Sequence, residues 1–402
     1  MHIAFITPEY AGPDGGTGGL GVYLRKTAAA LTARGHRVSV FLQGHEARSW
    51  DDGAVRVYVV ARARPWPWAR HLRWLANVAP AIRQIRSARA LAAKVWQVHA
   101  RQPIDLIQTS SFMAPGLTVI GNGRIPVVCR ASSYTPLWRA AYGTRRNAAQ
   151  YLCDGLELRQ FNGADAVYAP SRFLSGVLAR FEGLHVEVIR TPLPAPVHGD
   201  RAFYESRLKG QPYLLHFGAL SRLKGTDLLG QAMPAILARH PQLRLVVIGG
   251  DNGLPDGRRM ADVLKADLGP VTDRLLINAP IPHDSLPSVI AGALGVLMPF
   301  RADNYSNACL EAQAQGIPVV GTMECGLDEL ITDGQTGFLI RQADPASLTE
   351  GVERLLAMNA GQRGEMIQRI RASVAAMAAE DRIGQLLDYY ADVMGRFRGT
   401  SP

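Results

Sequence analysis

Two acidic residues, Asp303 and Glu311, are separated by seven residues in a polar stretch that leads into a predicted helix. Carboxylates accept hydrogen bonds, so the pair suits vicinal hydroxyl groups. The amides of a helix's first turn can hold a phosphate or a sugar oxygen. Alternatively, Asp303 caps the helix and Glu311 is an exposed helix position. A buried Glu311 would need a partner, which favours a function.

Two cations, Arg222 and Lys224, follow one predicted strand and precede a predicted helix. That position places them at the carboxyl edge of a sheet. They can neutralise a diphosphate leaving group, the arginine as a planar fork and the lysine as a point charge. The alternative is a pair of exposed loop cations, but their occurrence together with Asp303 and Glu311 favours anion binding.

A glycine-rich run over 15–21, which includes Gly18 and Gly19, lies between a predicted strand and a predicted helix. Glycine lets backbone amides approach an anion closely, and the helix dipole adds partial positive charge. The run does not match the dinucleotide-binding fingerprint cleanly. Contact with a phosphate or sugar and a plain tight turn both remain open.

These motifs lie in two runs of alternating strand and helix. A strand over 3–6, a helix over 22–34 and a strand over 38–42 form a βαβ unit, the building block of parallel sheets. Further strands of the first run are predicted over 55–60, 104–108, 127–129 and 166–169. The second run has strands over 213–217, 243–248, 275–278, 295–298 and 317–320, with helices over 226–239 and near 308–315. A last helical pattern covers 381–398.

A proline-rich segment over 191–196 is typical of an interdomain linker. We therefore expect an α/β protein of two Rossmann-like domains that face each other across a cleft. The predicted domains are an acceptor domain over 1–195 and a donor-binding domain over 205–380. A helix over 381–402 is expected to pack back toward the first domain.

The composition limits the partners. The net charge of +10 favours phosphorylated small molecules or an anionic membrane surface, and no nucleic-acid motif is present. The four cysteines lack metal-like spacing, so we expect no metal site and a reducing compartment. The start of the chain indicates a buried strand and no signal peptide, and the longest apolar stretch, over 289–300, is too short to span a bilayer. A cytoplasmic protein is expected.

A basic stretch over 61–103 contains no acidic residue and carries Trp66, Trp68 and Trp74 near its start. Its apolar residues keep helical spacing. One interpretation is one or two helices packed on the sheet with a solvated basic face. The other is an amphipathic helix that contacts a membrane surface or an acceptor.

Taken together, the motifs resemble a known family. The hallmark of family-four retaining glycosyltransferases of the GT-B fold is two acids separated by seven residues, then a Glu-Ala helix and a Gly-x-Pro-Val-Val strand. Asp303, Glu311 and the run 316–320 match it, and the segments 324–330 and 333–339 continue the pattern. The resemblance covers nearly the whole chain.

The resemblance implies roles for individual residues. Glu311 would hold the ribose hydroxyls of a nucleotide-diphosphate sugar, and Asp303 would hold the sugar to be transferred. Lys224 and Arg222 would stabilise the departing diphosphate, with no metal or other cofactor required. The remaining donor-binding positions are Gly18, Gly19, Gly218, Gly249, Gly250, Asn304, Tyr305, Ser306 and Asn307. The acceptor would be a glycan, a lipid-linked sugar or a small molecule.

The chain departs from the family at two places. Ala219 stands where the family usually has a phosphate-binding arginine, and Arg222 is the candidate substitute. The family's histidine after the strand near 127–128 is missing, so we expect Arg130, Ser132 or Tyr134 to replace it on the acceptor side. These departures leave open a donor-binding protein with little catalysis. A nucleotide-sugar epimerase is a second rival because it shares the two-domain architecture, although it would lack the Asp303 and Glu311 pattern.

Overall fold

The computed structural model describes residues 1–12, 19–62, 77–143, 146–193, 199–251, 253–254 and 256–400. They form two compact units, Met1–Pro192 with Asp381–Pro402, and Leu193–Glu380. Each unit has its own largely parallel sheet with helices packed against it. The predicted α/β class with two Rossmann-like domains is confirmed.

The sheet of the first unit has the order β3-β4-β2-β1-β5-β6-β7-β8. All neighbours pair in parallel except β3 and β4, which are antiparallel. Every residue of β1 and β5 is buried, as expected for central strands covered on both faces. The strands are β1 (His2–Ile6), β2 (Arg37–Gly44), β3 (Arg48–Asp52), β4 (Val55–Ala61), β5 (Leu106–Ser110), β6 (Val127–Arg130), β7 (Ala166–Ala169) and β8 (Glu187–Val188).

Helices cover this sheet. They are α1 (Gly19–Ala33), α2 (Ala79–His99), α3 (Thr135–Tyr142), α4 (Ala148–Gly163), α5 (Arg172–Glu182) and, from the end of the chain, α13 (Arg382–Thr400). Leu386 and Tyr390 of α13 join Phe5 and Leu24 in one apolar cluster. The Tyr390 hydroxyl also donates to Gln108 Oε1. The last helix is thus part of the core of the first unit.

The sheet of the second unit has the order β11-β10-β9-β12-β13-β14, with parallel pairing throughout. Its strands are β9 (Tyr213–Phe217), β10 (Arg244–Ile248), β11 (Leu275–Asn278), β12 (Gly295–Met298), β13 (Val319–Thr322) and β14 (Gly337–Ile340). The sheet order changes direction between β9 and β12. Ligands of open α/β sheets bind beside such a point, at the carboxyl ends of the strands.

The helices of the second unit are α6 (Ala202–Arg207), α7 (Thr226–Arg239), α8 (Met260–Leu268), α9 (Leu286–Ala291), α10 (Asn307–Ala314), α11 (Pro345–Leu356) and α12 (Ala360–Ala379). They enclose two apolar clusters. One contains Leu229, Leu264 and Val352, and the other contains Phe300 and Leu310. Because helices pack on both faces of this sheet, the ends of its strands are held in place, and so are the starts of the loops that follow them.

Several predicted boundaries are wrong by a few residues. The strand expected over 317–320 is Val319–Thr322, because Gly316 adopts a positive φ of 74° and the Ile317 amide still bonds to Ala312 of α10. The strand expected over 104–108 is Leu106–Ser110, because the Ile104 amide donates to the His99 ring. The helix expected over 22–34 begins at Gly19, so the glycines at its start belong to the helix.

Other predicted segments lie only partly within the described residues. Helix α2 occupies the second half of the basic stretch, while Trp66, Trp68 and Trp74 lie outside the described residues. Half of the proline-rich segment over 191–196, namely residues 194–196, also lies outside them. In the described part of the chain, no helix combines the length and apolar character needed to cross a membrane. The same part contains no cluster of histidine, cysteine and acidic residues suited to a metal.

Candidate functional site

The candidate donor site is built from loops at the carboxyl edge of the second unit's sheet. Loops follow β9, β10, β12 and β13 at this edge, and backbone contacts join them. The Gly218 amide donates to Ile248 O at 3.0 Å, and the Arg301 amide donates to Leu223 O at 2.9 Å. The predicted residues Gly218, Lys224, Gly249, Asp303 and Glu311 therefore belong to one neighbourhood.

Glycines make this close packing of loops feasible. A Cβ atom on Gly249 would lie 1.6 Å from Gly218 O, and one on Gly225 would lie 2.0 Å from Pro299 O. Gly225 also has a φ of 67°, in the left-handed region where glycine costs least. These positions hold neighbouring loops at a distance that a side chain would not permit.

Two of the three residues predicted to be catalytic, Lys224, Arg222 and Asp303, contact each other. Lys224 Nζ lies 2.7 Å from Asp303 Oδ2, and the two side chains are 25% and 15% exposed. The ammonium also lies 4.1 Å from the centroid of the Phe300 ring. A cation over an aromatic face is held by the ring quadrupole. Lys224 is thus positioned by a charge and a ring, while its side chain stays partly exposed.

Asp303 does not cap α10. That role falls to Ser306, whose Oγ accepts from the Cys309 amide at 3.3 Å. Asp303 instead accepts from the Asn304 amide at 2.8 Å through Oδ1, while Oδ2 meets Lys224. The interpretation of Asp303 as a helix cap is wrong, because the helix begins three residues later than a cap at 303 requires.

Glu311 lies on α10 with its side chain 17% exposed, so the interpretation as an exposed helix position is also wrong. Its Oε1 lies 3.8 Å from His283 Nε2, and the His283 side chain is 52% exposed. The Glu311 carboxylate therefore has the ring of a largely exposed histidine beside it. His283 was not found from the sequence, since a single histidine in a loop after β11 carries no pattern.

Arg301 is another residue of this region for which the sequence predicted no role. Its guanidinium forks onto Asp227 at 2.7 and 2.9 Å and donates to Arg222 O at 2.5 Å. Arg222, the predicted substitute for the missing family arginine, lies 3.7 Å from the same carboxylate with its side chain 55% exposed. Arg301 therefore anchors the loop after β9, and Arg222 extends from that loop into solvent.

A buried histidine supports the same loops. His216 on β9 contacts Leu297 O at 2.9 Å and Thr226 Oγ1 at 3.2 Å. Burial lowers the pKa of His216 to about 4, so the ring is neutral near pH 7. Its edge packs against Phe300, the ring beneath Lys224. His216, on β9, thus contacts both helix α7 and the Phe300 ring on which Lys224 packs.

The predicted glycine site of the first unit differs from expectation. Gly18 lies outside the described residues, and Gly19 is the first residue of α1. Glu9 Oε1 accepts from the Gly21 amide at 3.0 Å, so a carboxylate of the chain itself already uses an amide of this helix start. This contact favours a structural role for that amide.

The predicted acceptor-side residues follow β6. Arg130 is 6% exposed, lies 3.8 Å over the Tyr23 ring and donates to Thr191 Oγ1 at 3.4 Å, which favours a packing role. Ser132 Oγ lies 3.2 Å from Ser111 Oγ at the end of β5. The Tyr134 hydroxyl donates to Glu182. Ser132 and Tyr134 remain the candidates nearer the surface.

A buried carboxyl group, Glu157 of α4, organises this edge of the first unit. It accepts from the Met113 amide at 2.9 Å and from Thr135 Oγ1 at 2.6 Å. Burial raises the pKa of Glu157 to about 7. Met113 and Ala114 have positive φ angles of 66° and 47°, which cost free energy in non-glycine residues. Glu157 stabilises that loop.

Two family models match the chain. One described as glycosyl transferases group 1 matches residues 211–358, and one described as Glycosyltransferase Family 4 matches residues 17–194. The first covers most of the second unit, including Lys224, Asp303 and Glu311. The second covers most of the first unit.

Named relatives agree with these models. A D-inositol 3-phosphate glycosyltransferase of Acidothermus cellulolyticus is 27% identical over 96% of this chain and 88% of its own length. Its namesake from Nocardia farcinica is 26% identical over 96% of this chain and 87% of its own.

Solved structures share the fold. Sucrose-phosphate synthase of Thermosynechococcus elongatus has a TM-score of 0.76 at 20% identity and covers 98% of this chain and 99% of its own. The Anabaena protein HepE, in complex with UDP and glucose, has a TM-score of 0.68 at 17% identity, with 97% and 99% covered.

Proposed function

The chain belongs to the family-four glycosyltransferases of the GT-B fold, and from that premise we propose that it moves a sugar from a nucleotide-diphosphate donor to an acceptor hydroxyl with retention at the anomeric carbon. The observation that carries the proposal is the Lys224–Asp303 contact at the carboxyl edge of the second sheet. The glycosyltransferase assignment replaces the epimerase alternative.

The donor would lie across the loops of the second unit. Lys224 supplies a positive charge for the diphosphate, and Asp303 and Glu311 supply acceptors for hydroxyl groups of the sugar and the ribose. Gly218, Gly249 and Gly250 give the nucleoside a surface without side chains. UDP is the nucleotide to test first, because the proteins of similar fold include a UDP-forming trehalose-phosphate synthase and HepE, whose structure contains UDP and glucose.

Catalysis in this proposal is electrostatic. In the structure Lys224 is paired with Asp303. A diphosphate would compete for the ammonium, and the released carboxylate would then accept from a sugar hydroxyl. The positive charge stands ready where negative charge grows on the leaving oxygen, so little reorganisation is needed in the transition state. No protein nucleophile and no metal are part of the proposal.

The acceptor would be bound by the first unit, near the ends of β5 and β6. Ser132 and Tyr134 are the polar candidates there, with Ser111 beside them. The relatives include D-inositol 3-phosphate glycosyltransferases and a sucrose-phosphate synthase, which supports a cyclitol or a sugar, free or phosphorylated, as acceptor.

Contact of the first unit with an anionic membrane is a further part of the proposal. Arg83 and Arg89 of α2 are exposed, and the sequence has no acidic residue from 61 to 104. Such a face is attracted to anionic lipid. Co-sedimentation with phosphatidylserine vesicles that is lost when both arginines become glutamine would support it. Equal co-sedimentation of the variant would argue against it.

The proposed function is tested with a panel of nucleotide sugars. The purified chain is mixed with each donor, with and without candidate acceptors, and release of the nucleoside diphosphate is measured. We expect one donor to be consumed faster in the presence of an acceptor. Donor binding without any turnover would instead support a donor-binding protein. Ala219, which stands at the position of the family's arginine, favours that hypothesis.

A further inference from the structure

Two arginines share one buried carboxylate beside the candidate donor site. Asp227 lies in the first turn of α7, and its side chain is only 8% exposed. Arg301 donates to both oxygens of this carboxylate, at 2.7 and 2.9 Å. Arg222 Nε lies 3.7 Å from Asp227 Oδ2, which is beyond hydrogen-bond distance. Arg301 therefore holds the strong position at Asp227, and Arg222 holds the weak one.

Arg222 is placed to take the strong position when Arg301 is removed. Arg222 and Asp227 belong to the same segment, which leads from β9 into α7, whereas Arg301 comes from the loop after β12. A buried carboxylate without a paired cation is costly, and the planar fork of an arginine matches a carboxylate well. Without Arg301, we expect the Arg222 guanidinium to turn onto Asp227 and to lose its exposure.

Arg301 also holds the backbone of this segment. Its Nη1 donates to Arg222 O at 2.5 Å, and its amide donates to Leu223 O at 2.9 Å. The side chain of Arg222 nevertheless stays 55% exposed. Arg301 thus keeps the main chain of Arg222 in place, and it occupies the carboxylate with which the Arg222 side chain would otherwise pair.

An exposed guanidinium at this position suits a diphosphate. Arg222 lies on the same loop as Lys224, at the carboxyl edge of the sheet, where open α/β sheets bind ligands. A diphosphate presents two anionic groups, of which a planar fork can bind one and a point charge the other. Ala219 stands where the family usually has its phosphate-binding arginine. On this loop, Arg222 is the cation that accompanies Lys224.

We propose that Arg301 is a positioning residue for diphosphate binding. By occupying Asp227, it keeps the Arg222 guanidinium exposed, where this group binds the diphosphate of the donor. Arg301 itself does not contact the donor in this proposal. The inference rests on the proposed function and adds a residue to its donor site.

The test measures the binding of nucleoside diphosphates by calorimetry. UDP, GDP and ADP are compared, and the tightest ligand is then used together with its nucleoside. We expect Arg222→Met and Arg301→Met each to raise the Kd for the diphosphate by about 10- to 100-fold, the size of one charge-assisted hydrogen bond. The Kd for the nucleoside should stay unchanged. Arg369→Met, at an exposed ion pair of the same unit, is the control and should change neither Kd.

A merely structural role of Arg301 predicts a different result. Damage to the loops would weaken the nucleoside and the diphosphate equally, and that outcome would overturn the inference. The combined variant Arg222→Met with Arg301→Met should bind the diphosphate no more weakly than Arg301→Met alone, because Arg222 already lies on Asp227 in the single variant. Residues that act through one shared partner are expected to be non-additive in this way. Additive losses would also overturn the inference.

Removal of the buried charge should reverse the effect of Arg301→Met. Asp227→Asn in that background abolishes the charge that attracts Arg222, and it also relieves the cost of a buried carboxylate without Arg301. We expect most of the lost diphosphate affinity to return. Binding as weak as that of Arg301→Met alone would show that Arg222 is not captured by Asp227, and the inference would fail.

Failure of this inference can be told from failure of the proposed function. A diphosphate that binds the wild type and Arg301→Met equally well would reject the role of Arg301 and leave the donor site in place. If the wild type binds none of the three diphosphates, both the proposed function and this inference are rejected.

Discussion

Lys224 Nζ and Asp303 Oδ2 lie 2.7 Å apart, although the two residues follow different strands of the second unit's sheet, β9 and β12. The contact shows that the loop after β9, which carries the positive charge of Lys224, meets the loop after β12, which carries the negative charge of Asp303. A partly exposed ion pair of this kind contributes little to stability. We therefore propose that the pair serves donor binding, since it lies at the carboxyl edge of the sheet, where open α/β sheets bind ligands.

Lys224→Ala should lower kcat by about 100- to 1,000-fold, the effect usual for removing one group that stabilises transition-state charge. Steady-state release of the nucleoside diphosphate measures it. Lys209→Ala, at an exposed lysine of the same unit, is the matched control and should keep wild-type activity. Equal rates for the Lys224 variant and the control would remove Lys224 from the mechanism.

Glu311→Gln should raise the KM for the donor by about 10- to 100-fold, because a charge-assisted hydrogen bond is worth roughly 1.5–3 kcal/mol. We expect kcat to change less, since ribose contacts are made in both ground and transition states. Donor-dependent kinetics separate the two effects. Glu350→Gln, at an exposed position of α11, is the control. A donor KM equal to that of the control would show that Glu311 does not bind the donor.

Gly249→Ala should destabilise the second unit, because the added Cβ would lie 1.6 Å from Gly218 O and force two loops apart. The expected loss is about 1–3 kcal/mol of unfolding free energy. Urea unfolding monitored by circular dichroism measures it. Gly364→Ala, on the exposed face of α12 with no atom within 4 Å of the new Cβ, should be neutral or slightly stabilising. Unchanged stability of Gly249→Ala would contradict the close approach of these loops.

Glu157 should make stability depend on pH. Burial raises its folded-state pKa from 4.5 to about 7, so between these pH values the folded chain holds a proton that the unfolded chain has released. Its contribution is therefore lost as pH rises through this window. Glu157→Gln should flatten the slope of unfolding free energy against pH there. An identical slope in the variant would show that Glu157 does not titrate in this range.

Much of the fold was predictable from sequence because its central strands are buried on both faces. Mostly apolar runs such as 213–217 and 295–298 gave strands with these bounds, and every residue of both strands is buried. The errors lie where a short side-chain or backbone contact decides the end of an element, as at Ile104 and Ile317. Hydrophobic pattern carries no information on such contacts.

The candidate site was predictable for residues within a recognisable spacing or a glycine motif, such as Lys224, Asp303, Glu311 and Gly249. The ion pair of Arg301 with Asp227 and the contact of His283 with Glu311 depend on which loops meet after folding, and no sequence spacing predicts them.

The most direct test of the account is a proton NMR time course of the chain with an α-linked nucleotide sugar and an acceptor. We expect the donor's anomeric signal to be replaced by a product signal with the small coupling of an α linkage, in wild type and in Lys209→Ala but not in Lys224→Ala. A β-linked product would contradict retention. Donor consumption that persists without Lys224 would contradict the proposed mechanism.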